Sequence, residues 1–344
     1  MKHLFYIHSY ITHYVALEVI KHHGLIHTDC VLMYGRKFQP LLSPAGMQQV
    51  ELPFTHHPQN SFALERKFWR GWEKLNRFDS FVKKFTEGDK FKIYTNQTGI
   101  DFIRLFISHK NCKGFSLLEE GIASYYTLDK VNTEICPSGN STDFFKILLF
   151  LNYRGRLTPQ KWFYDTGYEH VYGMSEASFP GFERKVRLPF PFYNNLPMPG
   201  FGHILVLDAT AEYGVTTLKS TLSALAEALQ YVAKRGVGKL WVKYHPDQAN
   251  SVDTRKRYEQ VFKEHSQFLK VEEVPQHVSL EFVAGNTNNT GTVFYVFLSS
   301  VGLYAGLCGR KVYSFASCMY RFDLQYEQRV QRLPDVFKEN VKFL

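Results

Sequence analysis

Hydrophobic and polar positions follow a repeating scheme along the chain, in which short alternating runs give way to stretches with helical spacing. Residues 3–7 alternate and predict a first strand, and residues 10–23 carry apolar positions at helical spacing that predict a helix. Residues 29–34 predict a second strand. Because this opening places a helix between two strands, it favours an α/β fold built on a parallel sheet.

The rest of the first half continues the scheme after one long interruption. Residues 36–60 contain several prolines and histidines and are predicted to form a loop. Residues 61–86 have helical spacing and a basic face that we expect to be mostly solvated. This face comprises Arg66, Lys67, Arg70, Lys74 and Arg77. Further strands are predicted at residues 90–95, 113–118 and within 168–181, and helices at residues 98–109 and 141–152.

A proline-dense stretch separates this half from a second one. Residues 186–201 hold four prolines, which exclude regular structure and predict a linker. We therefore predict an N-terminal domain over residues 1–190 and a C-terminal domain over residues 200–322. A last helix over residues 323–344 could pack back on the N-terminal domain. Two successive α/β halves indicate two Rossmann-like domains that face each other across a cleft.

The second half restarts the succession of strands and helices after the linker. Strands are predicted at residues 203–209, 239–245, 268–271, 292–298 and 311–315, and helices at residues 215–235, 252–265 and 301–308.

Composition restricts the class of protein. Hydrophobic residues make up 44% of the chain and aromatic residues 16%, which excludes a disordered protein. No apolar run reaches the roughly 18 residues of a membrane span, and the N-terminus lacks the apolar core expected of a signal peptide. The five cysteines are scattered and form no CxxC pair, so we expect a reduced, cytoplasmic protein.

The net charge of +9 is the strongest compositional signal. It fits a nucleic acid, an anionic membrane surface or an anionic substrate as partner, and also fits solubility alone. The basic residues are dispersed and no DNA- or RNA-binding motif is present, so nucleic acid is not an expected partner. Peripheral contact with an anionic membrane is an expectation that rests on the charge.

Polar residues follow three of the predicted strands. They are Glu119 and Glu120, His245, and Ser299 with Ser300. Because ligands of open α/β sheets bind at the carboxyl ends of the strands, these groups would converge on one cleft if the two sheets face each other.

Each of these groups has a functional and a structural interpretation. One carboxylate of the glutamate pair could act as a general base, whereas acids also commonly cap helices, the commoner role for such a pair. Gly121 would allow a backbone or ligand to approach closely. His245 could donate to a phosphate or be a half-buried structural histidine. Ser299 and Ser300 could bind phosphate at a helix start or form an N-cap.

Several nucleotide and metal motifs are absent from the sequence. It contains no GxxxxGK[ST], no GxGxxG after a strand, no DxD, no HExxH and no clustered Cys or His ligands. We therefore expect a phosphate to be held by histidine, hydroxyls and helix ends, without an obligatory metal or other cofactor.

Taken in order, these motifs resemble those of bacterial sialyltransferases of the two-domain glycosyltransferase-B type, namely lipooligosaccharide sialyltransferases and capsular polysialyltransferases. The shared features are the acidic pair and glycine at residues 119–121, the His-Pro at 245–246 and the Ser-Ser at 299–300. Residues 274–281 resemble the segment whose glutamate contacts the donor's ribose. The resemblance covers the second half well and the first half mainly around the acidic motif.

The resemblance implies inverting transfer of sialic acid from CMP-sialic acid to a hydroxyl of a cell-surface glycan, lipooligosaccharide or capsule. Glu120 would be the general base, and His245 would stabilise or protonate the departing CMP phosphate. The implied donor-binding residues are Pro246, Glu281, Ser299 and Ser300, with Glu281 on the ribose. Glu119 and Gly121 would have secondary roles. We expect the enzyme to be cytoplasmic from its cysteine usage, and peripheral contact at the inner membrane is a hypothesis that rests on the net charge.

Two other functions remain open at this stage. A transferase for another CMP-activated acid sugar, such as Kdo, would need the same residues, because its donor also carries CMP and a carboxylate. A non-catalytic nucleotide- or glycan-binding protein would retain the binding residues without the transfer reaction.

Overall fold

The computed structural model describes residues 1–36, 38–40, 44–53, 70–137, 143–158, 160–190, 198–249 and 251–344. The chain divides into two compact units, Met1–Pro191 and Phe192–Leu344. Each unit contains a parallel sheet and helices, so the predicted α/β fold with two Rossmann-like units is confirmed. None of the helices that the structure describes is both long enough and apolar enough to cross a membrane.

The first unit is a doubly wound sheet with seven strands among its described residues. Its strands are β1 (Lys2–Ile7), β2 (Cys30–Tyr34), β3 (Gln48–Glu51), β4 (Phe91–Thr95), β5 (Cys112–Leu118), β6 (Val171–Gly173) and β7 (Lys185–Arg187). Its helices are α1 (Tyr10–His22), α2 (Gly71–Thr86), α3 (Asp101–Ile107), α4 (Leu128–Lys130) and α5 (Asp143–Asn152).

The strand order of this sheet fixes where a ligand site can form. The order is β3-β2-β1-β4-β5-β6-β7, and all neighbouring pairs are parallel. The chain moves outward from β1 to β3 and then returns to place β4 on the other side of β1. The order therefore reverses between β1 and β4, and the crevice beyond their carboxyl ends is the place where such folds bind ligands.

The alternation of β1 buries both faces of this sheet. Leu4 and Tyr6 belong to the core that also contains residues of α2 and α3, such as Phe78 and Phe106, whose rings meet edge to face 4.9 Å apart. Phe5 points to the opposite face, where α1 contacts the sheet. Burial on both faces explains why the strand is almost continuously apolar.

One prediction for this unit needs correction, and another lies partly outside the described residues. Residues 36–60 were predicted as loop but include β3, whose Gln-Gln-Val-Glu sequence is mostly exposed and pairs with β2 at the edge of the sheet. An edge strand that buries little apolar surface leaves no hydrophobic alternation to detect. The helix predicted over residues 61–86 is described from Gly71, and Arg66 and Lys67 of its basic face lie outside the described residues.

The second unit has a six-stranded parallel sheet among its described residues. Its strands are β8 (His203–Val206), β9 (Lys239–Lys243), β10 (Lys270–Glu273), β11 (Val293–Val296), β12 (Lys311–Ser314) and β13 (Lys342–Phe343). Its helices are α6 (Leu218–Lys234), α7 (Pro246–Ala249), α8 (Val252–Glu264), α9 (Leu280–Gly285), α10 (Ser300–Leu307), α11 (Ala316–Tyr320), α12 (Leu324–Gln331) and α13 (Asp335–Asn340).

The order of this second sheet is β10-β9-β8-β11-β12-β13. It reverses between β8 and β11, which pair in parallel, so the predicted ligand crevice lies beyond the ends of these two strands. The single helix predicted over residues 323–344 is wrong, because this segment forms α12, α13 and then β13, which pairs with β12. Two residues of strand after a short helix are too few to give a periodic signal.

Candidate functional site

The two adjacent glutamates after β5 have opposite environments. Glu119 is fully buried, and its carboxylate accepts hydrogen bonds from the Tyr125 hydroxyl at 2.6 Å, the Met174 amide at 2.6 Å and the Ser178 hydroxyl at 2.8 Å. Gly173 makes this enclosure possible, because a Cβ there would lie 2.6 Å from the Ser178 Cβ. The hydrogen bonds of the Glu119 carboxylate thus join β5 to the segment after β6, which is a structural role.

Glu120 turns the other way, toward the β1–β4 crevice. Its Oε1 lies 2.6 Å from His8 Nε2, and its Oε2 accepts a hydrogen bond from the side-chain amide of Asn96. His8 directly follows β1, and Asn96 directly follows β4. The side chain of Glu120 is 21% exposed, whereas that of His8 is only 2% exposed. The carboxylate is therefore held across the point where the strand order reverses, with part of its surface open.

The charge state of Glu120 follows from these contacts. Burial raises the pKa of its carboxyl, but the charge and hydrogen bond of His8, the Asn96 amide and the charge of Arg36 together lower that pKa to about 2. Glu120 is consequently a carboxylate at neutral pH, as an acceptor of a proton must be.

The backbone after the glutamates excludes the capping interpretation. Gly121 adopts φ 152° and ψ −150°, a conformation that only glycine adopts readily. The turn that follows, Ile122–Tyr125, has no acidic residue in its first turn and no side-chain cap. The Glu120 amide instead donates to the Ser124 hydroxyl at 3.1 Å. The prediction that the acidic pair more commonly caps a helix is therefore wrong for this chain.

His245 and Pro246 lie at the carboxyl end of β9 in the second unit. Pro246 is the first residue of α7, where its missing N–H costs no hydrogen bond. The ring of His245 is 31% exposed, and its Nδ1 accepts a hydrogen bond from the Asp247 amide at 3.3 Å. In the tautomer that accepts this bond, the neutral ring carries its proton on Nε2 and can donate from that atom, while the Asp247 carboxylate lies 3.5 Å from Nδ1.

A buried glutamine fixes the His-Pro turn. Gln248 accepts from the His245 amide at 3.0 Å and donates to the Asp208 carbonyl at 2.7 Å, which ties the end of β9 to the end of β8. The Asp208 carboxylate in turn accepts from the Thr210 hydroxyl at 2.7 Å and from the Leu298 amide at 3.1 Å. Asp208 therefore joins the ends of β8 and β11 at the predicted crevice.

Ser299 is the N-cap of α10 and Ser300 its first residue, and two residues separate them from the end of β11. The Ser299 hydroxyl accepts from the Val301 amide at 3.2 Å, so the N-cap interpretation is confirmed. An N-cap does not preclude phosphate binding, because the hydroxyl keeps its own proton to donate and the first amides of the helix point in the same direction. Both serines are partly exposed at the β8–β11 crevice.

Glu281 lies in α9, after β10. Its carboxylate is largely buried and accepts from the Ser279 hydroxyl at 2.7 Å, and burial raises its pKa. Lys243, the last residue of β9, donates to the carbonyls of Pro275, Gln276 and Val278 at 2.8–3.1 Å. Burial lowers the Lys243 pKa to about 8. This lysine therefore shapes the loop that leads into Glu281.

The structure thus brings each predicted group to a carboxyl edge, but within separate units. Glu120 joins His8 and Asn96, while Glu119 lies away from them. The positioning residues that sequence reasoning missed are His8, Asn96, Asp208, Lys243 and Gln248. Three of them, His8, Asn96 and Lys243, end or directly follow a strand, so the strand-end rule applied to every strand would have found candidates such as His8. In the part of the chain that the structure describes, no group of three or more His, Cys, Asp or Glu residues is placed to hold a metal ion.

No family model matches the chain, and no curated protein matches it in sequence. Among solved structures, it is similar to the trehalose-6-phosphate synthase OtsA, with 11% identity, 99% of this chain and 96% of that chain covered, and a TM-score of 0.44. It is also similar to the spinosyn rhamnosyltransferase SpnG complexed with thymidine diphosphate, with 10% identity, 99% and 97% covered, and a TM-score of 0.44.

A third similar structure is Anabaena Alr3699/HepE in complex with UDP-glucose, with 11% identity, 91% of this chain and 80% of that chain covered, and a TM-score of 0.43. At these identities and scores the likenesses assign no activity to this chain. The fold assignment rests on its own strand order and pairing.

Proposed function

We propose that the chain is an inverting sialyltransferase that moves sialic acid from CMP-sialic acid to a hydroxyl of a cell-surface glycan. The observation that supports it most is the location of the motif residues. Glu120, His245 and Ser299, which the sequence resemblance links, all follow strands at the carboxyl edges of their sheets. Chance matches of common dipeptides would have no reason to share this location.

In this mechanism the first unit supplies the base. The acceptor hydroxyl gives its proton to the Glu120 carboxylate as its oxygen forms the new bond to the anomeric carbon of sialic acid. The bond between that carbon and the phosphate oxygen breaks, and its electron pair leaves with CMP. Because attack and departure take place on opposite faces of the sugar, the configuration inverts.

The second unit would receive the leaving group. His245 donates from Nε2 to the phosphate of CMP, and Ser299 and Ser300 donate hydroxyl and amide hydrogens to it. Glu281 would contact the ribose hydroxyls. No metal is needed in this proposal, since the charge that develops on the phosphate is met by these donors.

The test is CMP release from CMP-sialic acid in the presence of galactoside and sialoside acceptors. The wild type should release CMP only with a suitable acceptor, and His245→Ala should release it more slowly. His27→Ala is a matched control, because that histidine is exposed in the first unit. Release of CMP from CMP-Kdo but not from CMP-sialic acid would show that the donor is CMP-Kdo and not CMP-sialic acid. CMP binding without release from either donor would support a non-catalytic binding protein.

We also propose that the enzyme is cytoplasmic and contacts an anionic membrane surface through α5. Four side chains on one side of this helix are at least half exposed: Phe144, Ile147, Phe150 and Leu151. Lys146 lies on the same helix and Arg154 follows it, and the chain carries a net charge of +9. An apolar helix face beside cations suits insertion at the level of anionic headgroups.

Vesicle flotation tests this surface. The wild type should bind phosphatidylglycerol vesicles at low salt and release them as salt rises. Ile147→Ser with Leu151→Ser should weaken binding, whereas Val252→Ser with Leu324→Ser, which removes equally exposed apolar groups of the second unit, should not. Failure of the wild type to bind at low salt would refute the membrane proposal and leave the transferase proposal intact.

A further inference from the structure

His8 belongs to none of the motifs from which the function was proposed, yet its position is strictly set. Its ring is buried and stacks on Tyr6, with centroids 5.4 Å apart and planes 8° apart. Its amide donates to the Thr12 hydroxyl at 3.2 Å. Ser9 and Thr12 form a reciprocal capping box at the start of α1. The strand before His8 and the helix after it therefore both fix the direction of its ring.

The fixed ring meets the proposed base directly. His8 Nε2 lies 2.6 Å from Oε1 of Glu120, while the Asn96 amide holds Oε2. Because Asn96 is fully buried and follows β4, the two oxygens are held from two different strands. A carboxylate held at both oxygens cannot rotate about its terminal bond without losing one of these contacts.

We propose that His8 is a positioning residue for the transfer reaction, which together with Asn96 orients the Glu120 carboxylate toward the acceptor hydroxyl. This inference rests on the proposed function, because it assigns His8 to the support of the proposed base. His8 donates its Nε2–H and does not receive the acceptor's proton, which goes to Glu120.

The charge of His8 also controls the basicity of Glu120. A positive charge on His8 is the largest of the effects that lower the Glu120 pKa. The Glu120 carboxylate is thus a stronger base when the His8 imidazole is neutral. In that state the imidazole acts only as a hydrogen-bond donor to the carboxylate. The other groups that face Glu120 are Tyr6, Arg36, Ser124 and Tyr164.

Two substitutions at His8 distinguish its hydrogen bond, which orients Glu120, from its charge. His8→Ala removes the donor and should lower kcat by about 100-fold, as misplacement of a reacting group by about 1 Å does, with the KM for donor little changed. His8→Gln keeps an N–H donor and should recover kcat to within about ten-fold. His13→Gln is the matched control, since His13 is a buried histidine of α1 whose ring nitrogens have no hydrogen-bond partner among the described residues.

The pH profile of kcat/KM distinguishes positioning from mere packing. In the wild type, the charge and hydrogen bond of His8 lower the pKa of the Glu120 carboxyl. His8→Gln removes that charge, so the pKa of Glu120 should rise and the acidic limb, on which the base takes up its proton, should move to higher pH. An unmoved limb in His8→Gln, or an unchanged kcat in His8→Ala, would overturn the proposal.

Histidine ring ¹⁵N spectra of the full chain test the pair without turnover. The His8 resonance should show a proton on Nε2 and should shift in Glu120→Gln but not in Glu176→Gln, which changes an exposed glutamate. If the His8 ¹⁵N resonance does not shift in Glu120→Gln, the positioning role is refuted even if the chain is an active transferase. A responsive signal in a chain that turns over no CMP sugar would refute the proposed function, and with it the role of His8 in transfer, while the pair itself stands.

Discussion

The carboxyl edges of the two sheets use their polar groups in opposite ways. At the first edge the carboxylates of Glu119 and Glu120 receive hydrogen bonds from neighbouring side chains and amides. At the second edge His245 and Ser299 accept from main-chain amides and keep their own protons as donors. The first edge therefore suits the acceptance of a proton and the second suits the binding of an anion.

The comparison also separates two neighbours within the first edge. Glu119 and Glu120 are the same residue type in adjacent positions, but only Glu120 retains exposed surface. The role of each glutamate thus depends on the side of β5 toward which its side chain points. We therefore expect variants at Glu120 to lose activity and variants at Glu119 to lose stability.

The largest expected effect is on turnover at Glu120. Glu120→Gln keeps the shape of the side chain but cannot take a proton, and a general base typically contributes about 10²- to 10⁴-fold. CMP release in steady state should fall by that factor, with Glu176→Gln as the control. If Glu120→Gln releases CMP at the wild-type rate, Glu120 is not the general base and the first edge does not supply one.

At Glu119 the expected loss is one of stability. Glu119→Ala leaves the Tyr125 hydroxyl, the Met174 amide and the Ser178 hydroxyl buried without their acceptor. At roughly 1.5 kcal/mol for each of these three hydrogen bonds to a charged group, the free energy of unfolding should fall by about 4.5 kcal/mol. Urea unfolding measures this, and a loss below about 1 kcal/mol would contradict the described enclosure.

Acid should destabilise the wild type through Glu120. Its pKa of about 2 in the folded chain lies below the ordinary 4.5, so the contribution is present above pH 4.5 and is lost as pH falls toward 2. The corresponding free energy is about 3 kcal/mol. Unfolding followed across this window should show a smaller loss in Glu120→Gln than in wild type, and equal losses would refute the paired state.

The smallest expected effect concerns the second edge. Ser299→Ala removes the N-cap of α10 and should lower the free energy of unfolding by about 1 kcal/mol. If the hydroxyl also binds phosphate, the affinity for CMP should fall, whereas Thr127→Ala, which removes the N-cap of α4 in the first unit, should change stability alone. Equal CMP affinity in both variants would leave Ser299 as a cap only.

Much of this organisation could be predicted from local sequence, because buried parallel strands are apolar and end abruptly in polar residues. The strands that carry Glu120, His245 and Ser299 were found in this way. The side of β5 to which each glutamate points could not be predicted. The alternation of side chains along a strand indicates only that the two glutamates point to opposite sides. The His8–Glu120 contact spans 112 positions and depends on β4 lying between β1 and β5.

The most direct test of the contrast between the two edges is to measure CMP affinity and CMP release in the same variants. Calorimetric titration with CMP should give the wild-type dissociation constant for Glu120→Gln and a weaker one for His245→Ala, while release from CMP-sialic acid should be impaired in both. If Glu120→Gln loses CMP affinity, or His245→Ala keeps both affinity and release, the division of a proton-accepting edge from an anion-binding edge is wrong.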